Sequence, residues 1–339
     1  MRNEASIIAR LIRIIPSRSG LRPSSDVPVG IGDDAAVIRP RPGYESVVST
    51  DALVEGSHFL DHLHPPHVVG YKSLARAVSD LAAMGAAPRY FLLTLALPAG
   101  KAGAWLDLFA RGMALAARQF DMHLIGGDVS RHDQVTAALT VIGEARAGRV
   151  LTRSGARPGD AIYVTGRLGA AQAGLELLRR EGPRALTRRA GSYSLKRHLY
   201  PDPRLALGAW LADGKLVSAA MDLSDGLSTD LRRLCVASGV GAVVHADQLP
   251  LAGDQRPGTG RPSRSDEAKS ALHRALHGGE DYELLFTVPR RLASRIPSRF
   301  RGVSLTRIGE LTARRTVLLE KDRRTCALRP LGWDHFAQR

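Results

Sequence analysis

Apolar positions along this chain form two kinds of pattern, short runs and longer stretches with helical spacing. The short runs predict β-strands at Ser46–Thr50, Tyr90–Leu97, Val135–Ile142, Ala161–Thr165, Val217–Met221 and Tyr282–Val288. Apolar residues three or four positions apart predict helices at Ile7–Ile15, His67–Met84, Trp105–Gln119 and Ala170–Arg180. Strands that alternate with helices in this way are typical of an α/β or α+β fold.

The length of the chain and an interruption in its apolar pattern predict two domains. The chain has 339 residues, whereas a single core usually stops growing near ~250–300 residues. Gly and Arg interrupt the pattern at Ala147–Pro158, so we expect one domain at residues 1–147 and a second at residues 148–339. Two segments are predicted to be loops. One is the basic stretch Arg179–Arg197, and the other is Ala252–Asp266, whose Gly, Pro and Ser content also predicts partial disorder.

Composition narrows the possible classes of partner. A net charge of +15 and a pI of about 10.6 are compatible with binding to nucleic acid. The basic residues are spread along the chain, however, and aromatic residues make up only 5%, so platforms for stacking bases are scarce. We therefore favour a generally Arg-rich surface and predict no nucleic-acid partner.

No targeting, membrane or disulfide signal stands out. No apolar run reaches the roughly 18 residues that span a bilayer, and the Arg-interrupted N-terminus lacks the features of a signal peptide. A helix at Ile7–Ile15 could lie on a membrane surface, but packing against a core is the favoured interpretation, so no membrane partner is predicted. Cys235 and Cys326 form no CxxC motif, which leaves no sign of structural zinc or of an oxidising compartment, and the predicted location is cytoplasmic.

Acidic residues recur beside glycines and at strand ends in both halves of the chain. They occur in GIGDDAAVI, STDALVEGSHF, ARAVSDLAAMGA, IGGDVS, MDLSDGLS and HGGEDYELLF, which begin at Gly30, Ser49, Ala75, Ile125, Met221 and His277. Taken singly, Asp33 and Asp34 suit a turn, and Asp51 suits a helix cap. Asp80 is harder to explain in this way, because its helical neighbours are small and apolar and Arg76 is its only obvious partner in the sequence.

Gathering so many carboxylates requires a counter-charge. Two like charges a few ångströms apart repel by roughly 4 kcal/mol at an effective dielectric constant near 20. Oxygen ligands, without Cys and with little His, favour Mg²⁺ or Mn²⁺ over zinc, and Mg²⁺ typically binds carboxylates together with substrate phosphates. The acidic motifs therefore predict metal-assisted chemistry on a nucleotide phosphate.

Two other phosphate-binding motifs are rejected. The segment Gly30–Ala35, GIGDDA, matches a dinucleotide-binding fingerprint, but that fingerprint must open a helix, and Pro40 and Pro42 follow where the helix would run. The segment Gly70–Ser73, GYKS, lacks the upstream glycine of a P-loop.

From about Ile7 to Phe336 the chain resembles the thiamine-monophosphate kinase family. The resemblance lies in ordered motifs, namely GIGDDAA, STDALVEGSHF, SDLAAMGAAP, LIGGD, LTRSGARPGD, MDLSDGL and GGEDYELLFTVP. It implies a two-domain fold similar to that of aminoimidazole ribonucleotide synthetase, with an N-terminal α/β domain that dimerises through its sheet and a C-terminal α+β domain. The active site would lie in a cleft where the Gly-rich and Asp-rich turns meet.

The resemblance also implies an activity and a set of contacts. The γ-phosphoryl group of ATP would pass to thiamine monophosphate, giving thiamine diphosphate and ADP, with several Mg²⁺ ions as cofactors and the N-terminal domain binding ATP and Mg²⁺. The implied metal ligands are Asp34, Ser49, Thr50, Asp51, Asp80, Asp128, Asp222 and Asp225. The implied ATP contacts are Gly127, Asp128, Arg153 and Ser224, and the implied thiamine phosphate contacts are His58, Glu280 and Trp333. The departures are a long Ala252–Asp266 loop and Val129–Ser130 after GGD, where Thr is expected.

The residues agree with direct phosphoryl transfer. A phosphate monoester has a second pKa of roughly 6, so its oxygen is already a nucleophile at neutral pH and needs no general base. Both cysteines lie outside the motifs, and His58 has no orienting acid at a recognisable spacing. We therefore predict in-line transfer without a catalytic nucleophile or base. Two roles stay open for Trp333, stacking on a ring of thiamine or anchoring the C-terminal segment.

Two other functions are alternatives to thiamine-monophosphate kinase activity. A sister enzyme of the same superfamily could use another acceptor, but a selenophosphate synthetase would carry a reactive Cys near its N-terminus, and this chain has no cysteine before Cys235. A non-enzymatic nucleic-acid binder would show salt-dependent DNA binding without nucleotide hydrolysis or transfer.

Overall fold

A computed structural model describes residues 4–17, 25–252 and 264–336 of the chain. The chain divides into two compact units. The N-terminal unit comprises Met1–Ala82 and Ala86–Val150, and the C-terminal unit comprises Ala83–Gly85 and Leu151–Arg339. Among the described residues, no helix has both the length and the apolar character needed to cross a bilayer.

The N-terminal unit is built on a four-stranded sheet. Its helices are α1 (Glu4–Ile14), α2 (Pro66–Ala83) and α3 (Ala104–Gln119), and its strands are β1 (Tyr44–Val54), β2 (Ala87–Leu97), β3 (His123–Arg131) and β4 (Thr136–Arg146). The strand order is β1-β4-β2-β3, with β2 and β3 parallel and the other neighbours antiparallel.

Strand alternation gives this sheet one covered face and one open face. In β1, Val47 and Leu53 are buried, whereas Val48 is 59% exposed. Helix α2 covers the first face, and a methyl group on Gly143 of β4 would lie 3.1 Å from a side-chain carbon of Leu81. On the opposite face, the segment with Val27 and Ile38 packs against Tyr90 and Ile142, whereas Val48, Thr50 and Ala52 of β1 stay exposed among the described residues.

The C-terminal unit is built on an eight-stranded sheet. Its helices are α4 (Ala170–Glu181), α5 (Ala185–Arg188), α6 (Tyr193–Leu199), α7 (Leu205–Asp213), α8 (Leu227–Ser238) and α9 (Arg264–His277). Its strands are β5 (Ala161–Thr165), β6 (Ala219–Asp222), β7 (Gly241–His245), β8 (Leu284–Val288), β9 (Arg299–Phe300), β10 (Val303–Thr312), β11 (Val317–Lys321) and β12 (Arg324–Ala327). The order is β12-β11-β7-β10-β5-β8-β6, and β9 pairs with β10.

Alternate residues of the central strands enter two separate apolar clusters. Ile162 of β5 belongs to a cluster with Leu231 of α8, whereas Tyr163 belongs to a second cluster with Phe286 of β8 and Leu211 of α7. All residues of β5, β6 and β8 are buried because both faces of the sheet are covered. This double burial explains why these strands appear in the sequence as short, nearly continuous apolar runs.

The predicted strands and helices are confirmed, apart from shifts at their ends. The loop predicted at Arg179–Arg197 is wrong, because this segment contains α5 and most of α6. Both helices are too short to show periodicity, and they are stabilised by tertiary burial of Ala185 and Leu195 and by Ser192, which caps α6. Of the predicted Ala252–Asp266 loop, residues 253–263 lie outside the described part of the chain, and the last positions belong to α9.

Candidate functional site

The first cluster of predicted site residues joins β1 to α2 in the N-terminal unit. Ser49 and Asp51 are two positions apart in β1 and therefore lie on the same face, the one that α2 covers. Ser49 Oγ donates a hydrogen bond to Asp80 Oδ2 over 2.5 Å. Arg76, one helical turn before Asp80, forms an ion pair with Asp51, with 3.3 Å between Arg76 Nε and Asp51 Oδ2. Two carboxylates are thus held on facing elements, each with its own polar partner.

Two interpretations of these acids are wrong. Asp51 does not cap a helix, because it lies inside β1 opposite Leu139 of β4. Arg76, which the sequence offered as the partner of Asp80, is an ion-pair partner of Asp51, and the hydroxyl of Ser49 binds Asp80. The pairs were missed because they join residues 25 and 31 positions apart, beyond the reach of helical spacing.

The structure does not gather the other metal ligands predicted for this unit around Asp80. Thr50 lies on the open face of β1, where its Oγ1 accepts a hydrogen bond from Thr140 Oγ1 over 3.4 Å. Asp34 is exposed in a loop, and Asp128 is exposed in β3. Within residues 4–17, 25–252 and 264–336, no group of three or more His, Cys, Asp or Glu side chains is close enough to hold a metal ion. Contacts between β1 and α2 thus involve two of the predicted acids, Asp51 and Asp80.

His58 and Gly127 complete the predicted contacts of the N-terminal unit. Gly127 is exposed beside Asp128 in β3. His58 follows β1, and its Nδ1 accepts a hydrogen bond from the backbone N–H of Val54 over 3.0 Å. Because Nδ1 acts as an acceptor, the neutral ring must carry its proton on Nε2.

The second cluster lies in the C-terminal unit, at the turn between β6 and α8. Asp222 ends β6 and is buried. Asp225 follows three residues later, and Arg233 Nη1 contacts its Oδ2 over 2.5 Å. The side chain of Asp230 stabilises the turn by accepting hydrogen bonds from the backbone N–H groups of Asp225 and Gly226, both over 3.0 Å. Burial, and then the charge of Asp225, raises the pKa of Asp230 to about 6.

Two distant segments meet this turn. The backbone N–H of Glu280 donates to the carbonyl of Ser224 over 2.7 Å, and the backbone N–H of Trp333 donates to the carbonyl of Asp225 over 2.9 Å. Glu280 has a φ of 68°, an uncommon value for a residue other than glycine. Its Oε2 lies 3.4 Å from Nδ1 of the buried His198. The C-terminal unit therefore brings Ser224, Asp225, Glu280 and Trp333 together.

Arg153 is not part of this convergence. It is exposed in the segment before β5. Its carbonyl accepts a hydrogen bond from Ser238 Oγ over 3.0 Å, at the opposite end of α8 from Asp225.

A buried ionic network next to Glu280 was missed by sequence reasoning. Glu283 has no exposed surface, and its carboxylate binds Arg204 at 2.5 Å, Arg197 at 3.1 Å and Thr165 Oγ1 at 2.5 Å. Burial alone would raise the pKa of Glu283, but the hydrogen bonds and charge of Arg204 outweigh it, so this pKa lies below its ordinary value. The only signal in the sequence is an acid directly before an apolar strand, and its partners are 79, 86 and 118 residues away.

Asp281 connects this network to α4. Its two carboxylate oxygens accept hydrogen bonds from the backbone N–H groups of Gly169 and Ala171, over 2.6 and 3.0 Å, at the start of α4. Burial raises its pKa to about 7 against the opposing effect of these bonds. Asp281 and Glu283 thus fix the part of the chain that directly follows Glu280.

Comparison with known proteins agrees with this arrangement. Residues 32–145 match the family model for the AIR synthase related protein N-terminal domain, and residues 157–320 match the model for its C-terminal domain. The chain is 42% identical over 338 residues to the thiamine-monophosphate kinase of Escherichia coli strain K12, covering 98% of each chain.

Solved structures are similar as well. The thiamine-monophosphate kinase of Stenotrophomonas maltophilia K279a is 34% identical, with a TM-score of 0.77 over 94% of this chain and 96% of that one. A structure described as AaThiL complexed with AMPPCP and TMP is 31% identical, with a TM-score of 0.72 over 92% of this chain and 93% of that one.

Proposed function

We propose that this chain, which belongs to the AIR synthase related family and within it to the thiamine-monophosphate kinases, transfers the γ-phosphoryl group of ATP to thiamine monophosphate. The products are thiamine diphosphate and ADP. The match over 98% of the chain is the observation that carries the choice of substrates. A relative that binds AMPPCP and TMP supports the same choice. Use of ATP agrees with a cytoplasmic location, which remains a prediction.

The donor atoms of the acidic motifs fit Mg²⁺. Asp51 and Asp80 offer hard carboxylate oxygens on facing elements, and Ser49 adds a hydroxyl. Together with these residues we propose Asp34, Thr50, Asp128, Asp222 and Asp225 as the metal ligands, with Thr50 contributing its backbone carbonyl because its hydroxyl lies on the opposite face of β1. When bound, Mg²⁺ supplies positive charge that lowers the repulsion between the two phosphate-bearing substrates.

The remaining contacts divide between the two substrates. We propose Gly127, Asp128, Arg153 and Ser224 for ATP, and His58, Glu280 and Trp333 for thiamine monophosphate. Glu280 and Trp333 suit the cationic thiazolium ring, because a carboxylate attracts the cation and an indole face adds roughly 0.5–2 kcal/mol. The residues bind and orient the substrates without accepting the phosphoryl group, since the acceptor phosphate is its own nucleophile.

Incubation of the protein with ATP, Mg²⁺ and thiamine monophosphate is expected to give thiamine diphosphate and ADP. Free thiamine is expected to give no product, because its hydroxyl would need a general base, whereas the phosphate of thiamine monophosphate is already ionised at neutral pH. Chromatographic separation of the thiamine phosphates measures both reactions. Phosphorylation of thiamine at the same rate would contradict the proposed acceptor.

Kinetics with both substrates varied test direct transfer in the same assay. In-line transfer through a ternary complex predicts intersecting double-reciprocal lines and no ADP burst without thiamine monophosphate. Parallel lines, or label from γ-labelled ATP that stays on the denatured protein, would show a phospho-enzyme instead.

We also propose that the chain forms a homodimer through the open face of the N-terminal sheet. This face carries Val48, Thr50 and Ala52 of β1, all exposed, together with Thr94 of β2. Monomeric proteins rarely leave a broad face of this kind uncovered. A second copy can cover it with the same residues about a two-fold axis.

Val48→Glu is expected to convert the dimer to a monomer at micromolar concentration, because a charge would be buried in the interface without a partner. Light scattering distinguishes a particle of one 36.5 kDa chain from one of twice that mass. Val236→Glu is the matched control, since Val236 is 72% exposed in the C-terminal unit. A wild-type protein that is already monomeric, or a Val48→Glu protein that stays dimeric, would refute this interface.

A further inference from the structure

The C-terminal segment is bound to the first turn of α8 through consecutive backbone amides. The N–H of Leu331 donates to Ser228 Oγ over 3.3 Å, and the N–H of Gly332 donates to Thr229 Oγ1 over 3.1 Å. The N–H of Trp333 donates to the carbonyl of Asp225 over 2.9 Å. The acceptors lie within five positions of one another, so the segment follows the turn that carries Asp225.

The fit between the two backbones is close. A methyl group on Gly332 would lie 2.2 Å from the Asp225 carbonyl oxygen and 2.6 Å from Thr229 Oγ1, so only glycine permits this approach. Ser228 is fully buried, and its hydroxyl also hydrogen-bonds to His277 Nδ1 over 2.9 Å. The hydroxyl of Ser228, which accepts the hydrogen bond from Leu331, is therefore held in place by both α8 and α9.

Leu331 and Phe336 contribute little apolar packing to this segment. Leu328 is buried, but Leu331 is 62% exposed and Phe336 is 94% exposed. Strand β12 ends at Ala327, so no sheet pairing holds residues 331–333. Hydrogen bonds to Ser228, Thr229 and Asp225 hold these residues to the start of α8, together with the partly buried side chain of Trp333.

We propose that Thr229, supported by Ser228, is a positioning residue for thiamine monophosphate, because its hydroxyl holds the Gly332–Trp333 backbone beside the Ser224–Asp225 turn and the Glu280 that meets it. The inference rests on the proposed function for the identity of the substrate. The contact between Thr229 and Gly332 is seen in the structure whatever the substrate is. Trp333 would then have both of the roles that the sequence left open, anchoring of the C-terminal segment and stacking on a ring of thiamine, because the anchored segment positions the indole. Binding of ATP would not depend on this contact.

Thr229→Val tests the proposal because it keeps the shape of the side chain and removes the acceptor. Loss of one hydrogen bond is expected to raise KM for thiamine monophosphate roughly three- to tenfold, with kcat and KM for ATP nearly unchanged. Thr229→Ser keeps the hydroxyl and is the matched control, for which near-wild-type constants are expected. Steady-state kinetics of the three proteins give the comparison.

Hydrogen exchange provides a readout that does not depend on catalysis. In the full-length protein, the peptide that carries residues 331–333 is expected to exchange faster in Thr229→Val than in the wild type or in Thr229→Ser. Gly332→Ala disrupts the same contact from the side of the C-terminal segment and is expected to behave like Thr229→Val. This second variant tests the contact even if the Thr229→Val protein does not fold.

The two measurements separate the possible failures. Unchanged exchange in both Thr229→Val and Gly332→Ala would overturn the anchoring contact. Faster exchange with an unchanged KM for thiamine monophosphate would overturn the positioning role. If the wild-type protein does not phosphorylate thiamine monophosphate, the proposed function fails, and with it the positioning role, while the exchange data still decide whether Thr229 anchors the segment.

Discussion

Replacement of Asp80 by Asn is expected to lower turnover of thiamine monophosphate by about a hundredfold or more while the protein stays folded. Asn has the same shape and can still accept the hydrogen bond from Ser49 Oγ, which now spans 2.5 Å. Only the negative charge is lost, and this charge is what a magnesium ligand contributes. Asp51→Asn is expected to act in the same way, although it also leaves the guanidinium of Arg76 without its carboxylate partner in this pair.

Steady-state kinetics over a range of Mg²⁺ concentrations measure this effect, and circular dichroism with thermal unfolding checks the fold. Asp121→Asn is the matched control, because Asp121 is exposed and has a φ of 53°, a conformation that Asn also adopts readily. Near-normal turnover in Asp80→Asn would show that Asp80 is a structural partner of Ser49 and not a metal ligand.

Replacement of Glu283 by Gln is expected to lower the free energy of unfolding by about 3–5 kcal/mol. Glu283 has no exposed surface and binds both Arg197 and Arg204, so its loss leaves one buried and one largely buried guanidinium group short of a negative charge. The effect should depend on pH. The folded pKa of Glu283 is below its ordinary value of 4.5, so its contribution is present above that pH and is lost as pH falls through the folded pKa. Wild type and variant should therefore approach each other in stability at acidic pH.

Urea unfolding monitored at neutral and acidic pH measures this difference. Glu310→Gln is the control, because the Arg307–Glu310 ion pair spans 3.4 Å with both side chains about half exposed, and such pairs contribute roughly 0–1 kcal/mol. A loss in Glu283→Gln no larger than in Glu310→Gln would show that the two arginines find other partners, such as Asp202, which already contacts Arg204.

The sequence by itself located the strands β1, β2, β4, β5, β6 and β8 and the helices α1 to α4, determined the family, and indicated the acidic chemistry. Each of these follows from local information. Alternation in β1 places Ser49 and Asp51 on one face, and double burial of β5 and β8 makes them apolar throughout. The acidic motifs needed only their own residues to indicate oxygen ligands and phosphate chemistry.

Only the tertiary structure decided which polar groups are partners. Arg76 pairs with Asp51 of a strand 25 residues away, and Glu283 meets Arg204 across 79 residues. The short helix α6 exists because the fold buries Leu195 and Arg197, not because seven residues specify it. Thr229 and Gly332 are 103 positions apart in the sequence. Periodicity records that a position is buried, but the partner it meets there depends on how distant segments pack, and no local pattern carries that information.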